Sequence, residues 1–357
     1  MTDSNKIITN SKANALEVEL KKFAPVQMTF WHDEVRAIAN ELTRCALISC
    51  RSGGEPRRHF NNERLFTLGK DASVTYTGEE LRGNDEDNFL ALVHLVREMP
   101  GGQLVVKVKS SDICKLNGWQ TKQSYYTEIY KSILRLGATT LVVMSRRLTK
   151  MLIYERARKA GKASKEELAR LHDEIHALTD SDLEATDVTG LTMSMVGSNV
   201  VFSGSKGVVD DIPQGDLTWE IPMDKAMVTL FAKEWLTLVP IYSRRKLSTA
   251  ARRLQAYFMS HREPFDVRVS TLGQLLQLDC EIKEQKRIVK KRLQELVDQG
   301  VLKSADMSKG LGDVLVRVVR STWGGVENET PATPDKPGKS RENDPPGREN
   351  DPPATGR

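Results

Sequence analysis

The chain is short of the residues that build disulfide scaffolds, membrane spans and metal centres. It has four cysteines in 357 residues, at positions 45, 50, 114 and 280. None forms a CxxC pair or stands beside a histidine motif, which argues against a disulfide framework or a structural zinc site and for reduced thiols. No apolar run approaches the ~18 residues of a membrane span, and the opening MTDSNKIITNSK has no apolar signal core. A soluble, cytoplasmic protein with no membrane partner is expected. A strong excess of one charge is also missing: 53 Lys and Arg against 48 Asp and Glu leave a formal charge of +5. That total is weak evidence for nucleic acid, so the local distribution of charge has to decide.

Catalytic signatures are missing too. His172 and His176 lie four apart in HDEIH, but a zinc-protease motif needs Glu directly after the first His, and Asp173 stands there. The glycines around Lys206 do not make a P-loop: Asn199 occupies the place of its first glycine and no Ser or Thr follows Lys206. There is no G-x-S-x-G and no Cys-His pairing. The chain reads as a non-enzyme with no cofactor and no metal.

What the chain does have is a patterned stretch over residues 264–320. It reads as a strand, a short helix, a turn, a long basic helix over 280–300, and two strands about a Gly-rich bend at 307–312. At 100° per residue Ile282, Val289, Leu293, Leu296 and Val297 share one face of the long helix. Lys283, Arg287, Lys290, Lys291 and Gln294 share another. Gly300 stops the helix as a C′ residue does. An apolar stripe beside a basic stripe suits a helix that packs on its domain and lies in a DNA groove. A solvated surface helix would use the same good helix formers. The order of elements is that of a winged helix-turn-helix.

The same order occurs earlier. Residues 104–109 (LVVKVK) read as a strand, 110–118 as a short helix, 121–136 as a second helix and 142–145 as the start of a strand. Tyr125, Ile129, Ile133 and Leu136 face one way. Gln120, Ser124, Thr127, Lys131 and Arg135 lie opposite with Gln123 close by, amide, hydroxyl and basic groups of the kind that reach base edges and phosphates. An ordinary polar face is the alternative. Upstream, 83–97 is an amphipathic helix capped by Asp85, 73–77 a strand, and 35–50 a helix or helix-turn. Downstream, 146–180 reads as a helical hairpin with a capping box at Ser164 and Glu167. The hairpin interrupts the first wing, which strands at 191–202 and 217–221 can complete; helices at 223–236 and 240–261 follow.

The ends differ. Residues 1–26 are polar and read as a mobile arm. The short apolar group QMTFW then places Gln27, Met28, Phe30 and Trp31 together in a segment covering 27–34, either as a docking motif or as an anchor for the arm. From residue 324 onward seven of the chain's 14 prolines fall in 34 residues and RENDPP occurs twice, a composition that stays disordered.

In its motifs the chain resembles the TrfA-type plasmid replication initiators, relatives of the plasmid Rep proteins with two winged-helix domains. The pieces are QMTFW followed by VRAIANELTRCAL, SVTYTGEELRGNDEDNFLALVHLVRE, YYTEIYKSILRLGATTLVV and AYFMSHREPFDVRVSTLGQLLQ, in that order between residues 27 and 320. The resemblance implies binding to tandem repeats (iterons) in double-stranded origin DNA and opening of an adjacent AT-rich stretch. It also implies help to host DnaA, the DnaB helicase and the polymerase sliding clamp, with Gln27, Met28, Phe30 and Trp31 as the clamp-binding motif, and a monomer–dimer self-association in which monomers initiate. Ala39 stands where the family pattern has Pro, the 146–180 insertion is longer than in simple members, and the Pro-rich tail has no family role. The expected fold is α+β: two tandem winged helix-turn-helix domains with a helical-hairpin insertion and disordered termini. The expected boundaries are 35–236 for the first domain and 237–323 for the second, with a tail over 324–357. A winged-helix repressor binding an operator as a dimer is the alternative, and an origin-nicking enzyme using Tyr125 or Tyr126 is a weaker one because no histidine pair accompanies them.

Overall fold

The computed structural model describes residues 31–321, except 52, 69–71, 98, 100–103, 146–163, 165, 168–169, 171–188, 232–235, 262–265 and 311–312. Gln27, Met28 and Phe30, the Pro-rich tail, His172 and His176 and nearly all of the expected hairpin lie outside these residues. Of the hairpin, the Ser164 hydroxyl accepts a hydrogen bond from the Glu167 amide at 3.1 Å, as a helix N-cap does.

The first described element corrects the sequence reading. Instead of a helix over 35–50, Val35–Ala39 forms strand β1, followed by the single-turn helix α1, Asn40–Thr43, and the short strand β2, Ile48–Ser49. β1 is buried along its whole length and pairs antiparallel with β13, Leu236–Pro240, in the register Val35↔Pro240 to Ala39↔Leu236. Both partners are rich in apolar and β-branched residues, which suit a strand enclosed on both faces. The partner lies about 200 residues away, so no local pattern could announce the pairing.

The first lobe contains an antiparallel sheet in the order β3–β4–β7–β8, made from His59–Leu65, Ala72–Glu79, Thr140–Ser145 and Thr189–Met193. Strand β5, Leu81–Arg82, leads into helix α2, Gly83–Val96. The Asp85 carboxylate reaches back to the Arg82 amide at 2.8 Å and satisfies one of the orphan donors of the first turn. Phe89, Leu90, Leu92, Val93 and Val96 are buried. Next come β6, Val105–Lys109, then α3, Ser110–Asn117, and α4, Gln123–Gly137.

After α4 the strand at 140–145 does not form the wing expected of it. It joins β4 and β8. The sheet of the module has the order β6–β12–β9, with β9 at Val201–Ser203 and β12 at Thr218–Pro222. The small hairpin β10, Val208–Val209, and β11, Ile212–Pro213, lies between them. The chain thus inserts β7, residues 146–188 and β8 before it returns to close the module. Helix α5 spans only Lys225–Thr229, shorter than the 223–236 expected, and Asp224 caps it.

The second lobe begins with two helices rather than one long one over 240–261. α6, Ile241–Lys246, stops at Leu247, and Ser248 starts α7, Thr249–Met259, by accepting from the Ala251 amide. Then follow β14, Val267–Arg268, helix α8, Val269–Leu275, helix α9, Ile282–Asp298, and the hairpin β15, Leu302–Lys309, with β16, Val314–Arg320. The sheet order is β14–β16–β15. Val289, Leu293 and Leu296 of α9 enter a core with Leu254, Phe258, Leu272, Leu275 and Val316. Ile282, expected on that face, is 42% exposed because it occupies the first helical turn, beyond the reach of the core. β15 runs on to Lys309, so Met307 is a strand residue opposite Val316. Between the ends of the two strands the Gly310 amide donates to the Asp313 carbonyl at 2.8 Å.

A buried charged layer joins the lobes. Glu86 of α2 receives Arg244 of α6 at 2.6 Å and Arg253 of α7 at 3.0 Å. Asp87 pairs with Arg252 and, at 3.3 Å, with Arg244. Arg253 also donates to the carbonyls of Leu42, Thr43 and Cys45, at 3.2, 3.3 and 2.8 Å. A second contact runs from Arg58 to Asp279 at 3.3 Å and to Gln277, whose amide in turn donates to the Ala46 carbonyl. Burial raises the Glu86 pKa and the two guanidiniums lower it; the guanidiniums win, and it falls to about 2.

Candidate nucleic-acid interface

In the first module α3 ends at Gly118, whose φ of +73° is the left-handed conformation that closes a helix. The Trp119 amide donates back to the Cys114 carbonyl at 2.8 Å, and the chain turns into α4. Ile129, Ile133 and Leu136 of α4 are buried, as the periodicity requires. Gln120, Ser124 and Lys131 are exposed, and Thr127 and Gln123 are half-buried.

Gln123 is held by the fold itself. Its carbonyl oxygen accepts from the Gly215 amide at 2.9 Å, and its amide reaches the Thr127 hydroxyl at 3.4 Å. It therefore ties the helix to the loop ahead of β12. Arg135 is drawn the other way, into a two-nitrogen pair with Asp85 at 3.0 and 2.8 Å. The Tyr125 ring stacks on Trp119 with centroids 5.3 Å apart, and the Lys122 ammonium lies 5.1 Å from its centre.

In the second module Lys283, Arg287, Lys290, Lys291 and Gln294 are all exposed along α9. Lys283, Lys290 and Lys291 have no ion-pair partner among the described residues. Arg287 is paired with Glu284 one turn earlier at 2.5 Å, and Gln294 donates to Asp298 at 2.8 Å. Both are solvent-exposed contacts of small energy that a stronger anion can displace. Between α9 and the β15–β16 hairpin runs a groove of about 460 Å³, lined among others by Lys286, Lys290, Gln294 and Lys309. Lys286 and Lys309 were missed by the sequence reading. Lys286 was legible as the next turn of the Lys283 stripe, whereas Lys309 becomes relevant only because the long hairpin folds beside the helix.

Trp31, expected as the aromatic end of a docking motif, is 3% exposed. Its indole N–H donates to His94 Nδ1 at 3.1 Å and its carbonyl accepts from Arg97 Nε at 2.9 Å. Of the two readings of QMTFW, this arrangement is the anchoring one for Trp31. Burial, with Arg36 and Arg97 nearby, holds His94 neutral with its pKa lowered to about 3. The four cysteines are free thiols, and burial pushes Cys45 up to about 11 and Cys50 to about 12. No described helix is long and apolar enough to cross a membrane.

This is a mixed α+β protein with two modules of the same connectivity, each presenting a polar helix face. The TrfA protein family model matches residues 4–182 and 208–317, and the chain belongs to that family. The plasmid replication initiator protein TrfA of Escherichia coli is 25% identical over 301 residues, covering 84% of this chain. The match spans 65% of that relative's own length. Among solved structures, domains 2–3 of RctB give a TM-score of 0.48 at 14% identity, over 77% of this chain and 94% of that one. The Pi initiator protein in complex with iteron DNA gives 0.40 at 10% identity, over 82% and 99%.

Proposed function

We propose that this protein is a plasmid replication initiator that binds double-stranded origin DNA through two winged-helix readers. The observation that carries the reading is the pair α4 and α9, each buried along one apolar face within a module that holds a three-stranded sheet and open to solvent along a polar or basic one. The name of its Escherichia coli relative supports the same reading. In this scheme Lys283, Lys290, Lys291 and Arg287 meet phosphates and fix the register, and Gln294, Gln120, Ser124 and Thr127 read base edges. The two helices enter successive major grooves about one turn, ~34 Å, apart. Tandem repeats (iterons) are the expected target, because several copies on adjacent sites deform the DNA and favour melting of an AT-rich neighbour.

The role is non-enzymatic. Recruitment of host DnaA, the DnaB helicase and the sliding clamp belongs to the same proposal. Clamp docking through Gln27, Met28, Phe30 and Trp31 requires Trp31 to leave His94 and Arg97 first. The test is footprinting on the DNA flanking the gene with permanganate in parallel. Evenly spaced protected repeats beside reactive thymines are expected. A single protected palindrome with unreactive thymines would replace the initiator with a dimeric repressor, and Mg²⁺-dependent nicking of supercoiled DNA would show an enzyme.

A further inference from the structure

Apart from the helix faces, one cleft combines burial with unbalanced charge. It is bounded by β1, the end of α3, α6 and α7, and lined by Arg36, Asn117, Arg244, Arg245 and Arg252, with Asp87 as its carboxylate. Arg244 and Arg252 are balanced by Glu86 and Asp87. Arg36 and Arg245 have no carboxylate partner among the described residues. Arg36 is buried, donates to the backbone carbonyls of Asp33, Val35 and Leu116, and lies against His94. Arg245 gives one nitrogen to the carbonyls of Lys115 and Leu116 at 3.0 and 2.8 Å. Arg244 is 1% exposed, and its Nη1 has no hydrogen-bond partner.

A buried guanidinium with no carboxylate in contact is costly, and the cost shows. Burial and the repulsion of Arg245, Arg97 and Arg244 outweigh the attraction of Asp33 and lower the Arg36 pKa to about 10. A few ångströms away Arg253 and Arg244 meet the same problem by closing on Glu86. The cleft lacks that second carboxylate.

We infer that the cleft is a binding site for a phosphoryl oxyanion, held between Arg36 and Arg245 with Arg252 and Asn117 beside it. Guanidiniums are suited to this ligand because their fork of donors matches its oxygens. Size narrows the class. The enclosed part offers about 10 Å³ to a water-sized atom, about the least that takes one water. One oxygen of an oxyanion enters, and a base or a sugar ring does not. Position gives the site a consequence: a methyl group on Gly118 would lie 2.9 Å from Arg245 Cδ, so Arg245 packs against the turn that launches α4. An anion here braces that turn.

The phosphoryl group can come from free phosphate or from the DNA backbone. The second source rests on the origin-binding reading and the first does not. The test uses the full chain and inorganic phosphate, with chloride at equal ionic strength as control. Phosphate should raise Tm in a saturable way that chloride does not, and Arg245→Gln should abolish the difference. Arg36→Lys, which keeps the charge and loses the fork, should weaken it. No phosphate-specific rise, or the same rise in both variants, overturns the site. The salt dependence of origin-DNA binding then separates the sources. A slope shallower by about one in Arg245→Gln places a backbone phosphate in the cleft, and an unchanged slope leaves the free anion as occupant. Should the chain show no specific DNA binding, the initiator reading fails while the phosphate titration still decides the site.

Discussion

The Glu86 carboxylate of α2 meets the Arg244 guanidinium of α6 at 2.6 Å, and both side chains are almost wholly buried. Truncating one member of such a pair leaves the other charge buried and alone, a loss of about 3–5 kcal/mol. Glu86→Ala leaves Arg253 with no carboxylate and Arg244 with Asp87 alone, and is expected to lose stability in that range, read as a lower urea midpoint. The pH dependence has a defined sign. Folding lowers the Glu86 pKa from 4.5 to about 2, so its contribution is complete above pH 4.5 and disappears as pH falls through 2. Glu86→Gln should flatten the stability profile between those values.

His94 titrates in a different window. Its folded pKa is lowered from 6.5 to about 3, so the unfolded chain binds the extra proton between these values and stability declines as pH falls from 6.5 towards 3. His94→Gln should remove that slope, measured by thermal unfolding at a series of pH values. An unchanged slope would assign the loss to other groups.

Lys290 and Lys291 are expected to act through phosphates. Replacing both with Ala should weaken binding to specific and random duplexes alike and make the salt slope shallower by about two. Gln120→Ala should instead reduce discrimination between target and mismatched sites by about 1–3 kcal/mol, leaving the salt slope in place. Competition titrations at several salt concentrations separate the two behaviours.

Gly118 holds the turn between α3 and α4 at φ +73°. Gly118→Ala adds a methyl that meets Arg245 as well as an unfavourable backbone, with an expected loss of about 1 kcal/mol or more. The same variant should lower DNA affinity if the turn sets the pose of α4. Unaltered affinity together with lowered Tm would make the turn a purely structural element.

Local signals carried much of this architecture. α2, α3, α4 and α9 follow from apolar periodicity, from acidic residues in the first turn of α2 and from Gly118 and Gly300 as stops. Non-local pairing was not legible. VRAIA has enough Ala to pass for a helix, and it becomes β1 only because LTLVP lies beside it. The strand at 140–145 stands where a wing strand belongs, yet Ala72–Glu79 captures it. The arginine layer was hidden by its chemistry: Arg244, Arg252 and Arg253 sit in basic segments that read as surface, and only contact with Glu86 and Asp87 turns them inward. The exposed stripe on α9 was visible because its side chains stay on the helix surface, engaged at most by carboxylates of the same helix.

The pairing of β1 with β13 also sets a schedule for synthesis. Val35 leaves the ribosome about 200 residues ahead of its partner Pro240. Chains emerging at ≈ 5–20 residues per second therefore leave the apolar VRAIA strand unpaired for roughly 10–40 s. During that interval it is an open edge available to other chains. Fast translation, or a holdase bound to the nascent segment, should raise the soluble yield of this protein.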